Sequence, residues 1–247
     1  MRNALLTLAL LAVAAPAFAQ EGPPRWTFGA MVADRDAPYR GLDEGLLFVP
    51  LVRFEGERAY LRGLRGGWRL VDEEGFEFAL IAQARLDGYK VEDSDFLAGM
   101  DDRKFSLDLG AAATFTSKKL GALDLAVVAD TFDRSGGYEA TAAWNVLFKA
   151  GGWTVIPGAL LRWQSSDVVD YYFGVRTDEA LPGRPAYSGD SALTPELSVL
   201  VSRPLSEHWT LFARAGQSWL PSEISNSPIV ADDSSTSLFV AIGYSPR

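Results

Sequence analysis

The chain has 247 residues, carries a formal net charge of −9 at pH 7 and contains no cysteine. The acidic balance argues against a nucleic-acid partner, because binding to a phosphate backbone relies on Lys and Arg. The lack of cysteine excludes disulfides, a cysteine-linked lipid anchor and thiolate chemistry.

The first nineteen residues have the pattern of a secretion signal. Arg2 supplies the basic start, residues 4–15 are apolar except for Thr7, and Ala17-Phe18-Ala19 is a small-residue cleavage site. The apolar run is too short to span a membrane as a helix. We therefore predict a Sec signal peptide over 1–19 and a single mature domain over 20–247.

The rest of the chain reads as a series of β-strands. Apolar and polar residues alternate over long stretches; in the segment 105–115, Phe105, Leu107 and Leu109 share one face while Ser106 and Asp108 share the other. Such alternation predicts strands with two different environments. The predicted strands are 26–33, 45–54, 58–70, 76–86, 104–116, 122–132, 137–149, 153–164, 168–176, 194–203, 209–218 and 236–244.

Aromatic residues recur ten positions apart on one face of four of these segments. Ten steps along a strand cover about 33 Å, and a strand tilted by ~40° then spans about 25 Å of membrane. Aromatic rings suit both water interfaces of a membrane. We therefore predict a transmembrane, antiparallel, up-and-down β-barrel of about twelve strands. Its girdle aromatics are Phe105 and Phe115, Tyr138 and Phe148, Trp153 and Trp163, and Trp209 and Trp219.

The strand count is open at two places. The segment 58–70 mixes residue classes on one face, and YYFGV at 171–175 also fits a long loop. Counting from the N-terminus places the long connection 87–103 among the short turns, which bacterial barrels keep on the periplasmic side. Ten strands is therefore the alternative. Pro157 lies within the strand 153–164 and predicts a bulge there.

Charged residues on the polar faces are expected to point into the barrel. They are Glu77, Arg85, Asp108, Asp124, Glu139, Arg162, Glu196 and Arg214. Mixed signs in a narrow interior either pair and close it or line a polar path. The near balance of acidic and basic residues favours a paired, mostly closed interior.

Sequence motifs give no support to an enzyme, a metal site or a cofactor site. The only histidine, His208, follows Ser206 and Glu207 directly, whereas catalytic triads converge from separated positions. The acidic stretches 91–95 and 100–103 lack the full pattern of a calcium loop and are expected to be solvated. We expect no catalytic residues, no cofactor and no metal.

Five segments carry a family resemblance, namely 38–63, YYFGV at 171–175, PAY at 185–187, LSEHW at 205–209 and SPIV at 227–230. The first is similar to the N-terminal part of the MipA/OmpV (MltA-interacting protein) family, and the other four resemble its C-terminal half in the same order. The resemblance implies a barrel in the outer membrane of a Gram-negative cell, in contact with outer-membrane lipid and with the outer-membrane assembly machinery.

The same resemblance implies three alternative functions. The first is a structural scaffold whose periplasmic side docks a murein hydrolase or synthase. The second is a porin-like channel for small solutes, and the third is an adhesin that acts through its outer loops.

Overall fold

A computed structural model describes residues 25–35, 37–42 and 46–246 of the chain. The predicted signal peptide 1–19 and its cleavage site lie outside the described residues. The described strands are β1 Trp26–Arg35, β2 Leu47–Glu55, β3 Ala59–Arg62, β4 Arg65–Glu73, β5 Phe76–Arg85, β6 Ser106–Ser117, β7 Gly121–Asp130, β8 Tyr138–Asn145, β9 Phe148–Ala150, β10 Trp153–Gln164, β11 Ala192–Pro204, β12 Trp209–Trp219 and β13 Ser234–Tyr244.

These strands form one closed antiparallel sheet. Neighbours in sequence pair with one another, β10 pairs with β11, and β13 pairs with β1 through a register that sets Phe28 opposite Tyr244. The segments β8 and β9 lie end to end against β10 and act as one strand of the wall. The barrel therefore has twelve strands, so the predicted fold class is confirmed and the ten-stranded alternative is wrong.

The correct total conceals two errors in the prediction. The predicted strand 58–70 is a hairpin of two strands, β3 and β4, joined at Gly63 and Leu64. Gly63 adopts φ 62°, a left-handed conformation that suits a tight turn. The mixed faces of this segment arise because the chain reverses there.

The predicted strand 168–176 is instead a helix, α1, which spans Ser166–Phe173. Asp167 in its first turn suits the positive end of the helix dipole. The buried residues Val168, Val169, Tyr172 and Phe173 are spaced to share one helix face. The aromatic and β-branched residues of this segment favour a strand by local propensity. The segment forms a helix instead, because its apolar face packs against the other loops.

These two corrections also remove the conflict over which side each connection lies on. The short turns 56–58, 74–75, 118–120, 151–152 and 205–208 now share one end of the barrel, the short-turn end. The long connections 86–105, 131–137, 165–191 and 220–233, together with the described residues 37–42 that follow β1, share the other end, the long-loop end. In bacterial barrels the short turns face the periplasm.

Pro157 disturbs its neighbour rather than its own strand. The strand β10 is continuous, but β8 ends at Asn145, opposite Gly158, and β9 begins at Phe148, opposite Val155, so the break between them faces Pro157. In an antiparallel sheet the N–H and C=O groups of one residue point to the same neighbouring strand. Pro157 accepts a bond from the N–H of Val146 (3.1 Å) but has no N–H to return, so the ladder breaks there.

Side chains alternate between an apolar outer surface and a buried interior. On β7, for example, Leu123, Leu125 and Val127 are exposed, whereas Asp124 and Ala126 are buried. This is the pattern of a strand that meets hydrocarbon on one face. None of the helices in the described part of the chain is both long and apolar enough to cross a membrane.

The inward surface carries two apolar patches. One lies on the wall β3–β7 and consists of Tyr60, Ala79, Ile81, Ala112, Ala126 and Val128. The other lies on β13, β1 and β2, where Met31, Ala33 and Ala241 pack with Leu47, Val49, Leu51, Leu86, Phe212 and Phe239. We call this second group the inner apolar patch.

We predict that the outward aromatics on β10 matter more for insertion than an inward residue beside them. Trp153→Asp and Trp163→Asp should each lower the folded fraction in vesicles several-fold, because a charge then replaces a ring on the outer face. Thr154 alternates with them, so Thr154→Asp is the control. The heat-dependent gel shift of a closed barrel measures the folded fraction. Equal folding of all three variants would show that the faces are assigned wrongly.

Candidate functional site

The barrel interior is the candidate functional site, because its charged side chains are buried and linked. All eight residues predicted to face the lumen take part in ion pairs. Several pairs join strands that are not neighbours in the sheet. Such contacts can only run through the inside of the barrel.

Arg85 at the end of β5 is the centre of the first group, the Arg85 cluster. Its guanidinium donates to Asp108 on β6 (2.6 Å) and, across the interior, to Glu139 on β8 (2.7 Å). Asp87 is 3.5 Å away, and Arg162 approaches Glu139 at 3.9 Å. Arg85, Asp108 and Glu139 are all buried. This cluster ties four strands together at the level of the long-loop end.

A second group, the Glu55 cluster, lies toward the short-turn end. The Glu55 carboxylate accepts from Arg53 (3.0 Å), Arg62 (2.7 Å) and Arg69 (2.8 Å). Arg69 and Arg62 also donate to Glu77. Three guanidinium groups thus share two carboxylates, and no acidic group of the cluster is left without a cation.

Tyr60 packs beneath these guanidinium groups. The Arg62 and Arg69 guanidinium carbons lie 4.1 and 4.8 Å from the centre of its ring, within cation–π distance. The ring also covers Gly67, where a Cβ atom would come within 2.1 Å of Tyr60. Only glycine at position 67 leaves room for the Tyr60 ring, so a larger residue there would displace the ring from the guanidinium groups of this cluster.

Two further pairs complete the interior. Arg65 on β4 donates across the barrel to Asp124 on β7 (2.9 Å), which also accepts from Thr114 (2.9 Å). Arg214 on β12 donates to Glu196 on β11. The sequence prediction did not include Arg53, Glu55, Arg62, Arg65 or Arg69. Arg53 and Glu55 occupy alternate positions of β2, and Arg65 and Arg69 lie on one face of β4. The inward face of β4 can be assigned only when the reversal of the chain at 63–64 is known.

The long-loop end is closed by a packed group of loop residues, the loop cap. It comprises Tyr39, Tyr89, Leu97, Met100, Val168, Val169, Tyr172, Phe173, Val175, Ala192, Ile224, Ile229 and Val230, all buried. These residues come from four connections and from the start of β11. An apolar core of this kind shields the interior beneath it from water on that side.

Glu179 fastens two of the loops that form the cap. Its carboxylate accepts two bonds from Arg103 (2.9 and 2.7 Å) and one each from the backbone N–H groups of Asp101 (2.9 Å) and Arg176 (3.0 Å). Burial alone would raise the pKa of Glu179, but the bonds from Arg103 and the two N–H groups outweigh it and lower the pKa to about 2. Glu179 is therefore a carboxylate at neutral pH.

A cavity of about 90 Å³ lies under the cap. Phe173 lines it together with Arg162, Thr194, Glu196 and Arg214. Nε of Arg162, Nε of Arg214 and Oγ1 of Thr194 have no hydrogen-bond partner among the described residues. The volume suffices for several waters or one small solute.

The eight predicted girdle aromatics fall into two sets. Phe105, Tyr138, Trp163 and Trp219 lie toward the long-loop end, and Phe115, Phe148, Trp153 and Trp209 toward the short-turn end. Seven are exposed, whereas Trp163 is half-buried against Tyr138, at 5.3 Å between ring centres. Phe105 precedes β6 rather than belonging to it.

His208 serves the turn in which it lies. Its Nδ1 is 3.2 Å from the carbonyl oxygen of Ser245, and its ring packs 5.6 Å from that of Tyr244. The Ser206 hydroxyl accepts from the backbone N–H groups of His208 and Trp209. Within the described residues, no group of three His, Cys, Asp or Glu side chains is arranged to hold a metal ion.

Comparison with known proteins finds similarity along nearly the whole chain. Residues 28–246 match the family described as "MltA-interacting protein MipA". The MltA-interacting protein of Escherichia coli (strain K12) is 31% identical over 230 residues, which cover 92% of each chain. The putative outer membrane protein YiaT of the same strain is 27% identical over 233 residues, covering 94% of this chain and 95% of YiaT. Outer membrane protein OmpV of Vibrio cholerae serotype O1 is 29% identical over 142 residues, which cover 58% of this chain and 55% of OmpV.

We predict that Arg85→Met destabilises the barrel by about 3–5 kcal/mol, because it leaves Asp108 and Glu139 buried without their main cation. Arg53→Met is the control: Arg53 is the most exposed partner of Glu55, which keeps Arg62 and Arg69. That change should cost about 1 kcal/mol or less. Urea unfolding in detergent micelles measures both. Similar losses in the two variants would contradict a central role for Arg85.

We also predict that Glu179→Gln loosens the loop cap without opening the barrel wall. Trypsin at neutral pH should cut the variant after Arg103, which is buried in the parent protein. Glu223→Gln is the control, because Glu223 is half-buried in the first turn of the short helix Ser222–Ser225 and its carboxylate accepts from the neighbouring Ser222 hydroxyl. Cleavage patterns that match the parent protein would show that Glu179 does not hold the cap.

The lowered pKa adds a pH dependence to this prediction. A depressed pKa means that the stabilisation is present above the ordinary value of 4.5 and is lost as pH falls toward about 2. Pepsin digestion between pH 4.5 and pH 2, normalised to an unfolded substrate, should therefore accelerate in the parent protein. The Glu179→Gln variant should show little such dependence.

Proposed function

The chain belongs to the MltA-interacting protein MipA family, and we propose that it is a closed outer-membrane barrel that holds a peptidoglycan-processing enzyme at its short-turn end. It is an outer-membrane protein with a β-barrel fold. The docking of a cell-wall enzyme is the proposal, and the relative's name, MltA-interacting protein, suggests it.

The loop cap is the observation that carries the proposal. A scaffold needs a stable wall and exposed turns, whereas a solute channel needs a continuous wet path. In this barrel the cap covers one end, and the Arg85 and Glu55 clusters cross the interior below it. Paired charges and packed apolar residues of this kind favour a stable, closed barrel.

The short-turn end offers features that a periplasmic partner can contact. Leu120 and Leu205 are exposed at the tips of two turns, 70% and 55% respectively. Trp144 fixes the first turn by donating its indole N–H to the Leu120 carbonyl (2.7 Å). Rigid turns with an apolar tip and charged neighbours, such as Lys118, Lys119 and Glu207, suit a protein interface with a mixed rim.

A solute channel remains the second candidate, and the cavity beneath the cap favours it. Arg162, Glu196 and Arg214 line this cavity, and their charged groups would suit a polar solute. Opening of the cap would connect this cavity to the long-loop end. Conductance therefore separates the two candidates.

We predict few or no conductance steps in planar bilayers for the purified protein, because the loop cap covers one end and ion pairs cross the interior. The Glu179→Gln variant, with a looser cap, should show more frequent openings. A sixteen-stranded porin serves as the positive control. Large, frequent steps from the parent protein would instead support a channel.

The second experiment tests the docking of a cell-wall enzyme by a pull-down from a periplasmic extract. An affinity tag inserted at Gly183, in an exposed part of the long-loop end, leaves the short turns free. Murein zymograms should then reveal a bound cell-wall enzyme. Leu120→Asp or Leu205→Asp should reduce recovery several-fold, whereas Leu181→Asp at the opposite end should not. Recovery of no such enzyme by the folded protein would contradict the scaffold function.

A further inference from the structure

The barrel wall is incomplete beside the upper part of β2. The strand β3 has four residues, and it pairs with only Arg53, Phe54 and Glu55 of the nine residues of β2. The remaining six, Leu47–Val52, pair with β1 on one edge and with no described strand on the other. This open edge is roughly 20 Å long. We call the gap between it and the end of β5, above the turn at Gly63 and Leu64, the notch.

Alternate residues of β2 direct their backbone groups to this edge. The N–H of Glu55 bonds to Arg25 on the β1 side, whereas the N–H of Gly56 bonds to Ala59 on the β3 side. By alternation, the backbone groups of Phe48, Pro50 and Val52 point to the open edge. The side chains of Phe48 and Pro50 lie on the outer surface, where Phe48 is 76% exposed.

Pro50 argues against a β-strand as the occupant of the notch. A strand added there, from a second copy or from another protein, would need the N–H that proline lacks. Proline on an exposed edge is a known means of preventing strand addition. In a symmetric pairing centred on Pro50, both copies would lack that donor. The occupant must therefore be something that needs no hydrogen-bond ladder.

The inward side of the same strand is apolar. Leu47, Val49 and Leu51 face inward and pack with Met31 and Ala33 in the inner apolar patch. Leu86, just after β5, reaches the same patch from the other side of the notch. An apolar surface thus runs from the lipid-facing residue Phe48, around the open edge, into the barrel.

We propose that the notch admits an acyl chain of a membrane phospholipid, which lies against the inner apolar patch. Hydrocarbon needs no hydrogen-bond partner, so Pro50 does not obstruct it. Below the notch, Arg53, Arg62 and Arg65 make the interior polar. The acyl chain contacts the apolar side chains of the inner apolar patch, whereas water held over this polar base pairs with the edge N–H and C=O groups, because unpaired backbone at membrane depth is tolerated only where it meets protein or water.

The chain contains no cysteine, so single-cysteine variants can carry a fluorescent bimane label without further changes. Val49→Cys places the label inside the notch. Val128→Cys is the matched control, because Val128 is an inward valine in the other apolar patch and its strand pairs on both sides. Phe48→Cys reports the outer surface. Each labelled protein is folded into phosphatidylcholine vesicles with or without bromine on the acyl chains.

Bromine quenches the label only at short range. The label at Val49 should be quenched at least half as strongly as the label at Phe48, and the label at Val128 hardly at all. Equal, weak quenching at Val49 and Val128 would overturn the proposal. Leu51→Cys provides a second inward position should Val49→Cys fail to fold, as judged by the gel shift on heating.

Two further experiments test whether a free fatty acid or a second copy of the chain occupies the notch instead. Quenching at Val49 by an added brominated fatty acid, but not by brominated phospholipid, would overturn the phospholipid as the source of the chain. Efficient oxidation of unlabelled Phe48→Cys to a disulfide-linked dimer would overturn it in favour of a second copy at the edge. The proposal predicts that neither of these two results will be observed.

Discussion

Pairing of the backbone within a closed sheet is the constraint on which the rest of this structure depends. In hydrocarbon an unpaired N–H or C=O costs several kcal/mol, so a sheet that spans a membrane must join its first strand to its last. Here β13 meets β1 along eight register pairs, from Phe28 and Tyr244 to Arg35 and Ser237. Closure creates an inside, and the inside determines what the charged residues do. Each charge predicted to face the lumen lies close enough to an opposite charge to form an ion pair.

Within the described residues, ion pairs and packed loops occupy much of the interior of this narrow barrel. The Arg85 and Glu55 clusters cross-link strands that the sheet itself does not join. Above them, residues that are distant in sequence form the loop cap, held partly by Glu179. The two ends of the barrel differ. One end presents packed loops, and the other presents short turns, which suits a protein that positions a partner.

Much of this organisation was predictable from the sequence, because period-two alternation and aromatic spacing depend on the strand alone. The inward position of Asp108 follows from its neighbours in the segment 105–115, for instance. The hairpin at Gly63 and the helix at Ser166 were not predictable in the same way. A four-residue strand is too short to show a period, and YYFGV has the composition of a strand. The partnership of Glu179 with Arg103 depends on two loops that meet only after the barrel forms, so no local pattern indicates it.

The seam between β13 and β1 has a consequence for biosynthesis. The strand that completes the wall is β13, the last of the described strands in chain order, and its final residue, Tyr244, packs against Trp209. The wall therefore cannot close until β13 has been made. Until then β1 and β12 each have one edge without a partner strand. A chain interrupted before Ser234 would keep every other strand and could not close the wall.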